Sequence, residues 1–130
     1  MKKLAFWICT IALTVLALMP GPYLPPELFN WWDKAQHAIG FGTLAVLAVL
    51  AYPQLSKLRI GVLLMVLGVL IEVLQFFSGY RFGDWQDAVA DGVGVLVGLG
   101  LVVGIVAGLK RFDWFCGLLG LKLLKDADEN

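Results

Sequence analysis

Nine polar side chains carry whatever chemistry this chain can do: Asp33, Lys34 and His37, then Glu72 and Gln75, then Arg81, Asp84, Asp87 and Asp91. Each group borders or enters an otherwise apolar segment. At the centre of a helix in hydrocarbon an ionisable group costs about 2.5 to 3.5 kcal/mol by insertion scales, so such groups turn toward protein or water and mark functional sites. Set against Lys34 and Arg81, the five carboxylates Asp33, Glu72, Asp84, Asp87 and Asp91 leave about three net negative charges with His37 neutral, too many to stay ionised together under a low-dielectric lid. Three kinds of compensation follow. A proton retained by Glu72 or Asp91 gives an acid and base pair with His37, a start for hydrolysis or transfer on a lipid-linked precursor. A divalent cation can be held by Glu72, Asp87 and Asp91, with Mg2+ or Ca2+ favoured by hard oxygen ligands and Zn2+ open only if His37 also binds. A cationic or sugar-amine group of an envelope molecule can sit among the carboxylates, with Arg81 and two helix amino termini taking its phosphate or carboxylate.

The elements that must position these residues are membrane helices. The 130-residue chain is 60% hydrophobic and 15% charged, with a mean hydropathy of +0.84, far from the balance of a soluble domain. A bilayer core needs about 20 apolar residues per helix, and four stretches can be read: about 4–19, 35–52, 60–77 and 88–109. We therefore expect an all-α bundle of four membrane helices forming a single domain, with a short cytoplasmic segment over 110–130. The first stretch follows Met1-Lys2-Lys3 like a signal peptide, but Ala17-Leu18-Met19-Pro20 is a poor cleavage site and the run reads as a span. An amino terminus inside puts Lys2, Lys3, Lys57, Arg59, Lys110, Arg111, Lys122 and Lys125 inside and leaves only Lys34 and Arg81 outside, as the positive-inside rule prefers. Both termini are then cytoplasmic, and the loops bearing Asp33 and Arg81 open on the same outer side.

Helical spacing selects the faces. Asp84, Asp87 and Asp91 follow i, i+3, i+7 and continue into Gly94 and Gly98, a stripe that runs from carboxylates to bare backbone. Gly61, Met65, Gly68, Glu72 and Gln75 form a second stripe; Asp33, His37, Gly40 and Leu44 form a third. Glycines so spaced let helices approach closely, and Gly100, Gly104 and Gly108 make a further track that can pack on the first helix or on a second copy of the chain. Simpler roles compete for several residues. Asp33 to Gln36 and Asp84 to Asp87 resemble capping boxes, the helix dipole favours Asp87 near its amino end, and Lys34 and Arg81 can serve only to neutralise nearby acids. His37 alone reads as a hydrogen-bonded packing residue. Capping does not reach Asp91, two turns into its span, or Glu72, near the end of its own.

The remaining features are organisational. Tyr23, Phe29, Trp31, Trp32, Phe82 and Trp85 fall where an outer aromatic belt belongs, and Phe112, Trp114 and Phe115 fall at the inner border. Pro20, Pro22, Pro25 and Pro26 stiffen the first outer loop. The stretch 112–125 can lie along the inner surface as an amphipathic helix. Cys9 and Cys116 sit too far apart in this topology for a disulfide and form no metal motif. Zero net charge without a long basic run argues against a nucleic-acid partner, and no phosphate-binding Gly loop, zinc spacing or serine elbow is visible.

The run Asp33-Lys34-x-x-His37 with Phe41, then Glu72-x-x-Gln75, then Arg81-x-x-Asp84-x-x-Asp87-x-x-x-Asp91-x-x-Gly94-x-x-x-Gly98 resembles the VanZ-like family of small bacterial membrane proteins. The resemblance covers about 33–98. It implies a multi-pass protein of the bacterial cytoplasmic membrane whose founding relatives are associated with lowered susceptibility to teicoplanin, a lipoglycopeptide that binds cell-wall precursors; it implies no particular reaction. This chain has Asp91 where the family often carries Asn, which adds a potential negative charge. Three functions stand side by side: a protein that binds or modulates a surface or lipid-linked envelope component, an enzyme acting on a lipid-linked substrate, and a small transporter or proton relay. The first is favoured because no complete set of nucleophile, base and orienting group assembles from the sequence.

Overall fold

The computed structural model describes residues 1–20, 33–79 and 85–118, without the side chains of Asp33 and of 116–118. All regular structure among the described residues is helical, in four elements: α1 (Lys2–Leu18), α2 (Asp33–Ala51), α3 (Lys57–Ser78) and α4 (Trp85–Leu118). Proline chemistry ends the first two. Met19, before Pro20, takes the extended backbone (φ −72°, ψ 132°) that the residue preceding a proline prefers. Past Ala51, Pro53 sits in a tight turn closed by Leu55 N–H donating to the Tyr52 carbonyl at 3.0 Å. Ser56 then caps α3, its hydroxyl accepting from Arg59 N–H at 3.3 Å. At the other end of α3, Gly79 adopts a left-handed φ of 76°, the conformation that favours glycine after a helix.

Three of these helices are long and apolar enough to cross a membrane, over Lys34–Ala51, Lys57–Ser78 and Trp85–Phe115. The expected four spans are corrected at α1. With 17 residues it extends about 26 Å, short of a hydrocarbon core of about 30 Å, because the backbone before Pro20 stops the helix at Leu18. At the carboxyl end the difference runs the other way. α4 has 34 residues, about 51 Å, and continues unbroken through Lys110 and Arg111 to Leu118, so that 112–118 of the stretch read as a surface helix extends α4 and 119–125 lies outside the described residues. No proline interrupts this stretch, and Gly108 alone does not break the helix.

Packing is organised around α2, which contacts each of the other three helices and makes its most extensive contact with α4. Small residues make that contact possible. A Cβ on Gly94 would run into the Ala38 carbonyl, and one on Gly98 would run into the Gly42 carbonyl and come within 2.9 Å of Ala45 Cβ. The reciprocal Cβ on Gly42 would stand 3.1 Å from the Gly94 carbonyl oxygen. Below this crossing Phe41, Leu44 and Ala45 are fully buried and meet Ile60, Leu64 and Ile71 of α3 and Val95 of α4 in one apolar core. α1 joins from the outside, with Leu13 packed on the bare backbone of Gly40.

Polar contacts lock α1 at both ends. Near its amino end the Trp7 indole donates to the Tyr52 hydroxyl at 3.0 Å, and Phe6 meets the Tyr52 ring edge-on with centroids 5.6 Å apart. Near its carboxyl end the Ala17 carbonyl, one of the acceptors that a helix terminus leaves without an internal partner, receives Gln75 Nε2–H at 2.9 Å. α1 therefore runs antiparallel to α2 and parallel to α3. Large apolar side chains such as Leu63, Val66, Phe76, Leu96 and Ile105 stand outward, as a lipid-facing surface requires.

The second glycine track behaves differently: a Cβ on Gly100, Gly104 or Gly108 would meet nothing within 4 Å. Gly94→Ala and Gly98→Ala are each expected to lower the unfolding free energy by about 1 to 3 kcal/mol, by forcing α2 and α4 apart. Gly100→Ala and Gly104→Ala should leave it unchanged or raise it by up to about 1 kcal/mol. Equilibrium unfolding of purified protein in mixed detergent and SDS micelles distinguishes the two sets.

Candidate functional site

At the end of the bundle remote from the chain's amino terminus, α2, α3 and α4 each turn polar side chains inward. The α2/α4 crossing sets the first layer. Lys34 and His37 lie one turn apart on α2, Asp87 and Asp91 lie one turn apart on α4, and the parallel packing of the two helices pairs them in order. Lys34 Nζ is 3.2 Å from Asp87 Oδ1, and His37 Nδ1 is 3.0 Å from Asp91 Oδ1. The outer pair is partly wet, with the Lys34 side chain 25% exposed and that of Asp87 only 6%. The inner pair is dry, its side chains 8% and 0% exposed. Asp87 also stands in the first turn of α4, where the positive end of the helix dipole favours a carboxylate.

α3 supplies the third wall. Glu72 and Gln75 are buried, and Gly68, one turn further in, provides the surface against which Asp91 is seated. A Cβ on Gly68 would stand 2.5 Å from Asp91 Oδ2, so the carboxylate occupies the space a side chain would otherwise fill. One ligand atom each from His37, Glu72 and Asp87 lie within 4.8 Å of one another. Asp91 Oδ2 and Gln75 Oε1 are buried without a hydrogen-bond partner among the described residues. Such an atom costs about 1 to 3 kcal/mol relative to a satisfied one, which makes a polar ligand or ordered water at this end energetically favourable.

The site thus unites Lys34, His37, Glu72, Gln75, Asp87 and Asp91. Asp33 begins α2 at the same end, while its side chain, Arg81 and Asp84 lie outside what the structure describes, as do Tyr23, Phe29, Trp31, Trp32 and Phe82. Of the glycine stripe that follows Asp91, Gly94 and Gly98 form the α2/α4 contact, and Gly100, Gly104 and Gly108 face open space within this chain. Sequence reasoning missed one participant, the Ala17 carbonyl of α1, because a backbone acceptor at a helix end carries no signature of its own. It also did not assign partners: two acids, a lysine and a histidine on two helices allow either pairing until the register is known.

Beside the cluster, on the lipid-facing side of α3 and α4, an open groove of about 680 Å³ runs toward Lys57, lined by residues including Gly61, Met65, Val69, Gly92 and Val95. Its upper end is continuous in sequence with the site, since Val69 precedes Glu72 by one turn and Gly92 follows Asp91 directly. Its walls are almost wholly apolar.

The His37 and Asp91 pair should be energetically coupled. Asp91→Ala, which strands a buried imidazole, is expected to cost about 3 kcal/mol, and the His37→Ala/Asp91→Ala double variant should cost less than the sum of the singles by about 1 to 3 kcal/mol. A double-mutant cycle in mixed micelles measures this, and strict additivity would mean that the 3.0 Å contact carries no energy.

No curated protein and no solved structure matches this chain. A family model described as VanZ/LLP1 matches residues 8–107, which takes in α1 as well as the stripes of α2, α3 and α4 that carry the site. On that match, covering most of its length, the chain belongs to the VanZ/LLP1 family.

Proposed function

We propose that this membrane protein binds the charged headgroup of a lipid-linked cell-envelope component at its polar end and lays the lipid chain along the groove between α3 and α4. One observation carries the reading: the helices that bear the buried polar cluster also line an apolar groove of about 680 Å³, whose walls include Val69 and Gly92, near Glu72 and Asp91 in sequence. A headgroup phosphate suits the outer layer, where the Lys34 ammonium and the amino ends of α2 and α4 supply positive charge. A chain of methylene or isoprenoid units suits the groove, whose walls offer almost nothing polar.

The topology that serves this function keeps α1, though shorter than the hydrocarbon core, packed along α2 with both termini at the cytoplasmic end, so that the cluster faces outward where wall precursors are displayed. The count of Lys and Arg supports that orientation. Shielding or altering a displayed precursor in this way accounts for lowered susceptibility to teicoplanin-type glycopeptides, the property that resemblance to the VanZ-like proteins implies. A membrane-embedded enzyme acting on the same lipid is the second reading, favoured by the approach of His37, Glu72 and Asp87 within 4.8 Å.

Native mass spectrometry of detergent-purified protein tests the binding. Wild type should retain a phosphate-bearing lipid that Asp87→Ala and Glu72→Gln lose, and retention by none of the three would remove the proposal. The orientation is tested in a Cys9→Ala/Cys116→Ala background with a membrane-impermeant maleimide on intact cells. Tyr80→Cys should label directly and Gln54→Cys only after permeabilisation; the reverse order would place the site in the cytoplasm.

A further inference from the structure

We propose that His37, Glu72 and Asp87 form a binding site for a single first-row divalent ion of the Zn2+ type, with Asp91 as the residue that positions the imidazole. The inference rests on reading this cluster as a binding site and adds the chemistry of what is bound there. Three observations converge on it.

The first is the donor set. Ligand atoms from three different helices lie within 4.8 Å of one another, and the residues that offer them are only 8%, 9% and 4% exposed for His37, Glu72 and Asp87. In a tetrahedral ion with bonds of about 2.0 to 2.2 Å the ligands stand roughly 3.4 Å apart, so small side-chain rotations close the set without moving a helix. An acidic cluster on one exposed surface has no such enclosure.

The second is the arrangement behind the histidine. Metal-bound imidazoles are oriented by a carboxylate or carbonyl on the other ring nitrogen, and Asp91 Oδ1 stands 3.0 Å from His37 Nδ1. A metal bond would therefore come from Nε2. Asp91 is fully buried, is seated on Gly68 and has a second oxygen, Oδ2, without a hydrogen-bond partner among the described residues, so its placement serves the ring and not solvent. Asp87, which offers a carboxylate oxygen to the set, is itself held by Lys34 on Oδ1.

The third is selectivity. One imidazole with two carboxylates favours Zn2+ over Mg2+ or Ca2+, which take oxygen ligands alone. Three protein ligands also leave a four-coordinate ion one open position, and a phosphate oxygen of the headgroup or a water can fill it. The ion thereby joins the carboxylate-rich inner layer to the anion that Lys34 attracts.

The experiment uses the full chain in detergent, stripped with EDTA and titrated with ZnCl2 alone, followed by calorimetry and elemental analysis. We expect one Zn2+ per chain that excess Mg2+ does not displace, a loss of about 100-fold or more in affinity for His37→Gln and Glu72→Gln, and a loss of about 10- to 100-fold for Asp91→Asn. Because a site variant can misfold, X-ray absorption on the Zn2+-loaded wild type gives a second readout, with imidazole nitrogen and carboxylate oxygen at about 2.0 to 2.2 Å and no sulfur shell. Absence of stoichiometric binding, equal binding by His37→Gln, or a sulfur or oxygen-only shell overturns the proposal. Failure here with lipid still retained in native mass spectrometry would remove the metal and leave the lipid-binding reading standing.

Discussion

The close approach of α2 and α4 is the constraint on which the rest depends. It is a contact between backbones, with Gly94 against the Ala38 carbonyl and Gly98 against the Gly42 carbonyl. In lipid the hydrophobic effect supplies no drive for one helix to meet another, so association relies on dispersion and on how near the chains can come. Once these glycines set the distance and register, Lys34 falls opposite Asp87 and His37 opposite Asp91 without further adjustment. A side chain at either glycine would separate the partners as surely as it separated the helices.

The cluster has a graded character that follows from this geometry. Its outer pair is partly exposed to solvent, whereas its inner pair is sealed and gains strength from the low dielectric that makes an unpaired charge there so costly. α3 completes the enclosure by giving up a side chain at Gly68, which admits the Asp91 carboxylate. The same helix fastens α1 through Gln75 and the Ala17 carbonyl, so the short first helix is tied to the wall of the site and not only to the far end of the bundle. A protein with nearly no loops among its described residues thus concentrates its polar atoms where three helices meet.

Four spans are expected because 4–19 is apolar throughout, yet that stretch is only 16 residues long, and α1, which ends at Leu18 before the extended backbone of Met19, reaches only 17. Of the stretch 112–125 that can form a surface helix, the described part, 112–118, continues α4 unbroken, since amphipathic spacing specifies a face and does not specify a bend. The two glycine tracks of α4 look alike as text, and only one of them is inside this chain.

What the sequence by itself determined is the class of the molecule and the content of its polar cluster. Apolar runs dictate helices in a bilayer because backbone groups there must satisfy each other, and the 3.6-residue period places Glu72 with Gln75, and Asp87 with Asp91 and Gly94, on common faces. Lys34, His37, Glu72, Gln75, Asp87 and Asp91 were all legible as a group, since polar residues in apolar helices stand out by their cost. Only the tertiary structure decided the pairings, the seat of Asp91 on Gly68, the reach of Gln75 to Ala17, and the outward face of Gly100, Gly104 and Gly108. These depend on the rotation and offset of one helix against another, which are set by the summed fit of whole faces, and no local spacing encodes them.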